Sequence, residues 1–235
     1  MTAKQPLMLI TGVGPGTGSA IVRRFDREGY RVAMIARDKA RLASLEKELP
    51  SARAWPCDVS DGKALLAVLD TIEAEMGAPE VVVHNAVGGA FGSFSEIAAE
   101  TLAANLQVNT MALLHLAQRF APAMAERGTG ALIVTGNTSA LRGRAKFAGF
   151  APTKAAQRIL AESIARELGP KGVHVAYVVI DAVIDVPWAR TRFPEAPDDF
   201  FVKPSAIADE VWHVVRQDRS AWSFNVEIRP YKETW

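Results

Sequence analysis

The residues best placed to do chemistry come early, as Thr11-Gly12-Val13-Gly14-Pro15-Gly16-Thr17-Gly18, directly after the apolar run Leu7-Met8-Leu9-Ile10. Ser19-Ala20-Ile21-Val22 then opens an amphipathic run, with Phe25 one turn further on. A buried strand that delivers a glycine-rich turn to a helix N-terminus makes an anion trap. Unpaired amide N–H groups and the positive end of the helix dipole converge on one spot, and a pyrophosphate suits it. Glycine lets the backbone approach such a ligand closely and supplies any positive φ the turn needs. Gly12, Gly14 and Gly16 do not give the G-x-G-x-x-G spacing. Thr11, Gly12, Gly16 and Gly18 instead give Thr-Gly-x-x-x-Gly-x-Gly, with Gly14 and Thr17 inside the same loop. An ordinary glycine-rich turn is the other reading these residues allow.

The elements that must position this loop follow from composition and pattern. The chain has 235 residues, 49% hydrophobic and 23% charged, which suits one domain over 1–235 with a substantial core. Lys+Arg 27 against Asp+Glu 26 gives net +1, so no electrostatic footprint for nucleic acid or an anionic membrane is expected. The single cysteine, Cys57, forms no internal disulfide and no metal cluster, so no metal is expected. Nothing at the N-terminus reads as a signal peptide and no apolar run is long enough to span a bilayer, so a cytoplasmic location is expected.

Taken in order, strands are expected at 7–10, 31–35, 52–57, 81–84, 131–135, 174–180 and 224–228. Helices are expected after Gly18 and at 39–48, 64–76, 97–126 (one helix or two), 151–168 and 207–217. Leu65, Leu66, Leu69 and Ile72 are expected on one side of the third helix. Apolar strands alternating with helices imply parallel strands joined by right-handed crossovers. The expected fold is α/β, a doubly wound, Rossmann-like parallel sheet with helices on both faces. Such a sheet binds ligands beyond the C-terminal strand ends, where the glycine loop sits.

The sequence resembles the short-chain dehydrogenase/reductase family over nearly its whole length, roughly residues 7–228. Its carriers are Thr11-Gly12-x-x-x-Gly16-x-Gly18, Cys57-Asp58-Val59, His84-Asn85-Ala86, Val108-Asn109 and Phe150-x-x-x-Lys154, with Thr138 and Ser139 upstream. The resemblance implies a nicotinamide dinucleotide on the glycine loop. It also implies that the residue closing the second strand selects the cofactor, and here Ala36 and Arg37 stand there. A guanidinium can fork onto a 2′-phosphate, so Arg37 favours NADP(H) over NAD(H). A solvated surface arginine is the alternative, and Asp38 follows it directly. By the same resemblance Asp58 and Val59 frame the adenine, and Asn85 and Ala86 line the floor.

For the chemical half, family enzymes use a tyrosine as acid/base and a lysine four residues later that tunes it and holds the nicotinamide ribose. Lys154 matches the lysine, but Phe150 stands one turn before it, and no tyrosine occurs between Tyr30 and Tyr177. The resemblance assigns Asn109 to a helix bend and a water near the lysine. It assigns Thr138, or alternatively Ser139, to orienting the substrate; a pair of strand-capping turn residues is the other reading. The amides of Val183 or Ile184 would hold the carboxamide. Asp181 is a candidate substitute acid, if burial raises its pKa, or else a turn-forming aspartate. His84 and Asp185 are further candidates. Arg142, Arg144 and Lys146 face an anionic substrate or only solvent, and residues 185–204 read as a substrate lid.

Three functions remain open at this point: an NADP(H)-dependent oxidoreductase of unknown small-molecule substrate with an atypical proton donor, a nucleotide-binding sensor or partner subunit, and a non-redox enzyme reusing the cleft. The resemblance also implies a homodimer or homotetramer. The aromatic stretch 222–235 would pack across that interface or on its own subunit.

Overall fold

The computed structural model of the protein describes residues 5–233; Thr234 and Trp235, the end of the aromatic C-terminal stretch, lie outside them. In chain order the elements are β1 (Leu7–Thr11), α1 (Thr17–Arg27), β2 (Arg31–Ala36), α2 (Lys39–Glu48), β3 (Ala52–Pro56), α3 (Gly62–Met76) and β4 (Val81–His84). Then come α4 (Ala99–Leu106), α5 (Ala112–Arg127), β5 (Gly130–Asn137), α6 (Ala151–Leu168), β6 (Val173–Ile180), β7 (Val183–Ile184), α7 (Pro187–Arg192), β8 (Phe201–Val202), α8 (Pro204–Val215) and β9 (Asn225–Ile228).

Seven strands form one sheet in the order β3-β2-β1-β4-β5-β6-β9, every neighbouring pair parallel. The chain starts in the middle of the sheet, runs outward to β3, then returns to add β4 on the other side of β1. Crossovers therefore leave β1 and β4 in opposite directions, and a crevice opens between their C-terminal ends. Thr11 and His84 are paired across that point.

Period-two alternation decides which side chains each helix layer receives. From β1, Leu7 and Leu9 pack with Leu65, Leu69, Leu113, Leu116 and Phe120 of α3 and α5. Met8 and Ile10 pack on the other face with Ile21, Val22 and Phe25 of α1 and Ile207, Val211 and Val214 of α8. All five residues of β1 are buried, as a central parallel strand requires.

Helix starts and faces depart from the periodic reading at several places; α8, for one, begins at Pro204 rather than residue 207, with the proline in its first turn. In α3 the side chain of Asp61 accepts from the N–H groups of Lys63 and Ala64, both at 3.0 Å, so the helix begins at Gly62 rather than residue 64. Its buried face is Leu65, Leu69, Ile72 and Met76, while Leu66, one position round the helix, is 39% exposed. Between α4 and α5 the chain does not break: residues Gln107–Met111 form a π-helical turn that joins them. Strand β5 runs to Asn137, two residues past its expected end, because β6 pairs with all of it.

Residues 185–204 are ordered around a two-stranded parallel pair, β7 with β8, that brackets α7. The N–H of Asp185 donates to the carbonyl of Val202 at 2.9 Å. Arg190 forks onto the Asp185 carboxylate at 2.7 and 2.9 Å and lies 4.1 Å from the ring centre of Phe201. Among the described residues no helix is long and apolar enough to cross a membrane.

Candidate active site

The glycine loop forms the floor of a cleft of about 900 Å³ at the crevice between β1 and β4. Its glycines are there for different reasons. Gly12 has φ +84, and a β-carbon on it would lie 2.3 Å from the backbone nitrogen of Ala86. At Gly18 a β-carbon would meet the carbonyl oxygen of Gly12 at 2.3 Å. Both are demanded by backbone packing. A β-carbon on Gly14 would have nothing within 4 Å, so the bareness of that residue serves the open cleft instead. Gly16 is the N-cap of α1 and gives that end no side-chain hydrogen bond. Thr17, the first helical residue, lines the cleft, and its Oγ1 is buried without a hydrogen-bond partner. The start of α1 therefore presents backbone N–H groups without a side-chain cap, beside a buried hydroxyl without a partner.

At the outer end of the cleft stand Arg37, Asp38, Arg41, Asp58 and Val59. Asp38 is occupied as the N-cap of α2, accepting from the Arg41 N–H at 3.0 Å, and its carboxylate pairs with the Arg41 guanidinium at 2.7 Å. Arg37 is only loosely held, 79% exposed and 3.8 Å from Asp58. Asp58 accepts from the backbone N–H and hydroxyl of Ser60, at 3.0 and 2.8 Å. The first of these bonds is the main reason its carboxyl sits below the usual carboxylate range.

Behind the inner floor runs a buried hydrogen-bond network. Asn85 donates to the carbonyl of Gly12 at 2.6 Å and accepts from Thr135 Oγ1 at 2.8 Å. The carbonyl of Thr135 accepts from Lys154 Nζ at 3.2 Å, and Lys154 also donates to Gln157 Oε1. Gln157 Nε2 donates to the main-chain oxygen of Asn109 at 2.6 Å, and the Tyr177 hydroxyl donates to Gln157 Oε1 at 3.2 Å. His84 bridges Thr11 Oγ1 at 2.8 Å and the same Asn109 oxygen at 3.2 Å. Burial pulls the Lys154 pKa down to about 7. Burial, reinforced by the nearby Lys154 charge, pulls His84 down to about 3. Burial moves the Tyr177 hydroxyl upward.

Residues 6–194 match the short chain dehydrogenase family. The chain belongs to that family. Its sequence is 30% identical over 198 residues to the probable oxidoreductase EphD of Mycobacterium tuberculosis, covering 81% of this chain but 33% of that protein, so it spans about a third of that relative's length. It is 30% identical over 223 residues to the L-xylulose reductase of Bos taurus, covering 91% of this chain and 89% of the relative. Among solved structures, a short-chain dehydrogenase from Rhodopseudomonas palustris superposes with a TM-score of 0.82 at 29% identity, covering 96% and 99% of the two chains. A metagenomic short-chain oxidoreductase in complex with NADP gives a TM-score of 0.83 at 28% identity, covering 96% and 97%.

Within this short-chain dehydrogenase fold, the expected site residues divide into two groups. Gly12, Gly14, Gly16, Thr17, Gly18, Arg37, Asp58, Val59, Asn85, Ala86 and Ile184 all line the same cleft. Thr11 stands just behind it, buried on His84. Lys154, 1% exposed, does not line the cleft. The Asn109 side chain is spent on clamping Gly88 through both its N–H and its carbonyl, at 3.0 and 2.9 Å, and on Thr153 at 2.8 Å. Phe150 is the 5% exposed N-cap residue of α6, its ring 5.4 Å from that of Phe91. Thr138 and Ser139 form a short 3-10 turn at the end of β5, in which Ser139 N–H donates to the Asn137 side chain at 3.0 Å. Ser139 lines a second, largely apolar hollow of about 720 Å³ together with Arg142, Arg144 and Lys146.

Asp181 does not face the cleft; its carboxylate lies 3.4 Å from Arg229 of the segment following β9. Asp185 is committed to Arg190. Tyr231, from the aromatic tail, donates to Asp199 at 3.1 Å rather than entering the site, and Trp222 stacks on His174 of its own chain at 4.7 Å. Sequence reasoning missed Arg41 and Trp188 on the cleft wall, and Thr135, Gln157 and Tyr177 behind its floor. One local signal was available for Gln157, which lies three residues after Lys154 and so on the same helix face.

Proposed function

We propose that this chain is an NADP(H)-dependent oxidoreductase acting on a small molecule. The carrying observation is the two-ended cleft, with an uncapped helix N-terminus in a glycine cradle at its centre and the loosely held Arg37 at its outer end. The backbone N–H groups of Gly16 and Thr17 would bind the pyrophosphate, and the unpartnered Thr17 hydroxyl would donate to it. Arg37, supported by Arg41, would take the 2′-phosphate. Asp58 and Val59 would flank the adenine, Asn85 and Ala86 would form the floor, and Ile184 of β7, with Val186 and Trp188 of the 185–204 lid, would close the cleft. When bound, the nicotinamide supplies hydride chemistry.

The inner wall limits the reaction. It is made of Asn85, Ala86, Val87, Gly88, Gly89, Ala104, Asn105, Val108, Ile184, Val186 and Trp188, with no titratable side chain among the described residues. Such a wall suits a substrate that takes its proton from solvent, as an activated C=C bond does on reduction. Phe150 has no proton to give, and Lys154 reaches neither cleft nor solvent. Those two facts favour a second reading, a nucleotide-binding sensor or partner subunit that keeps the cleft without turnover. A homodimer or homotetramer through α5, α6 and β9 belongs to the same proposal.

Thermal denaturation with NADPH, with NADH and with neither, at matched concentrations, tests the cofactor. A ligand at a hundred times its dissociation constant adds about 2.7 kcal/mol, a rise of roughly 5–10 °C for a chain of this size. A larger shift with NADPH than with NADH supports the reading. No shift with either refutes dinucleotide binding and leaves the non-redox use of the cleft. Oxidation of NADPH by activated alkenes then separates the enzyme from the sensor.

A further inference from the structure

We propose that Gln157 is a positioning residue that clasps Lys154 behind the cleft floor, and that Tyr177 locks the clasp. The inference rests on the cofactor reading above in one respect, that only a bound dinucleotide gives Lys154 a ribose to reach.

The geometry is closed on every side. Lys154 and Gln157 lie three residues apart on the inner face of α6, both buried to 1% exposure or less. The amide of Gln157 is held at its nitrogen end by the Asn109 carbonyl at 2.6 Å, inside the π-helical turn. That bond fixes the direction of its Oε1, which accepts from both Lys154 Nζ and the Tyr177 hydroxyl. Tyr177 reaches this point from β6 because Gly136 on β5 has no side chain; a β-carbon there would lie 2.1 Å from the tyrosine ring. Thr135, next to Gly136, supplies the carbonyl that takes the other Lys154 hydrogen bond at 3.2 Å.

Lys154 therefore stands one hydrogen-bonded residue behind the cleft, since Thr135 Oγ1 donates to Asn85, and Asn85 lines it. The titratable groups around the ammonium are His84 from β4 and Tyr177 from β6, and burial disfavours the charged form of each. Among the described residues its side-chain partner is the neutral Gln157 amide, not a carboxylate. Removing that amide's oxygen frees Nζ to turn past Thr135 toward the cleft.

Reductive methylation with formaldehyde and a borane reads this directly, with peptide mass spectrometry following Lys154 against the exposed Lys39. Burial leaves Lys154 with a pKa of about 7, so free amine is present near neutrality and slow labelling reports access. In the unsubstituted chain Lys154 should label far more slowly than Lys39. Gln157→Met keeps the side-chain length and removes both polar ends, and it should raise the Lys154 rate at least tenfold. Gln157→Glu keeps an acceptor and should leave it slow. Tyr177→Phe removes only the hydroxyl, preserves the core, and should give a smaller rise of a few-fold.

An unchanged rate in both Gln157→Met and Tyr177→Phe overturns the proposal, as does an equal rise in the Met and Glu variants. If Gln157→Met does not fold, Tyr177→Phe decides alone. The labelling needs no cofactor, so its result stands apart from the NADPH thermal shift. Protection of Lys154 by NADPH in the released variant links the two.

Discussion

Two glycines two residues apart in the same loop should respond oppositely to alanine. At Gly12 the backbone has φ +84, where a β-carbon costs about 1–2 kcal/mol. The added carbon would also stand 2.3 Å and 2.4 Å from the nitrogen and α-carbon of Ala86, and 2.6 Å from the carbonyl carbon of Asn85. All three are backbone atoms, so no rotamer change relieves the contact. The turn after β4 must move by roughly an ångström, which strains the 2.6 Å bond from Asn85 to the Gly12 carbonyl; overpacking of this kind adds ~1–3 kcal/mol. Gly12→Ala should therefore lose about 2–5 kcal/mol, a drop of roughly 5–15 °C in Tm. Gly14→Ala meets nothing within 4 Å and should change stability by less than about 0.5 kcal/mol. Its methyl group enters the cleft where the pyrophosphate is proposed to lie, so NADPH affinity should fall about tenfold or more, ~1.4 kcal/mol. Scanning calorimetry and titration calorimetry on both variants give the two readings. Equal destabilisation by the two substitutions, or a Gly12→Ala protein as stable as the parent, refutes the reasoning.

Three other perturbations test separate parts of the site. Arg37→Asp removes an exposed guanidinium, so Tm should hold while NADPH binding weakens by about 1.5–3 kcal/mol and NADH binding does not; equal loss for both cofactors in titration calorimetry contradicts the 2′-phosphate assignment. His84 has a folded pKa of about 3 against about 6.5 unfolded, so the unfolded chain binds the proton first and stability should fall as pH drops through that window, by up to about 1.4 kcal/mol per pH unit. Lys154, about 7 folded against 10.5 unfolded, acts in the same direction and lets stability rise from pH 7 to 10.5; urea midpoints that stay flat from pH 5 to 9 contradict both. Phe150→Tyr alone should add little ketone reduction while Lys154 stays clasped. Combined with Gln157→Met it should exceed either single variant by about tenfold, ~1.4 kcal/mol of coupling, and additive rates would refute that dependence.

The alternation of strands and helices, and the glycine loop between the first strand and helix, follow from local pattern and were legible in the sequence. Period-two and period-3.6 apolar spacing depends on neighbours a few residues away. Arg37, Asp58 and Asn85 were legible only through the family resemblance; each sits just past a strand end, and parallel strands bring those ends to one edge, where all three line the cleft. The direction taken by a side chain behind that edge depends on partners far along the chain. Lys154 faces inward because of Thr135 on β5, Gln157 on its own helix and the Asn109 carbonyl that fixes Gln157. Asp181 turns to Arg229, forty-eight residues later, because β6 and β9 lie side by side. Leu66 is exposed because the capping of α3 by Asp61 and the packing of Leu65 fix the helix rotation. The sequence by itself determined the fold and the cleft at the strand ends for which dinucleotide binding is proposed. Which polar groups meet in that cleft was decided by tertiary contacts, because hydrogen-bond partners buried behind a parallel sheet come from different strands and helices.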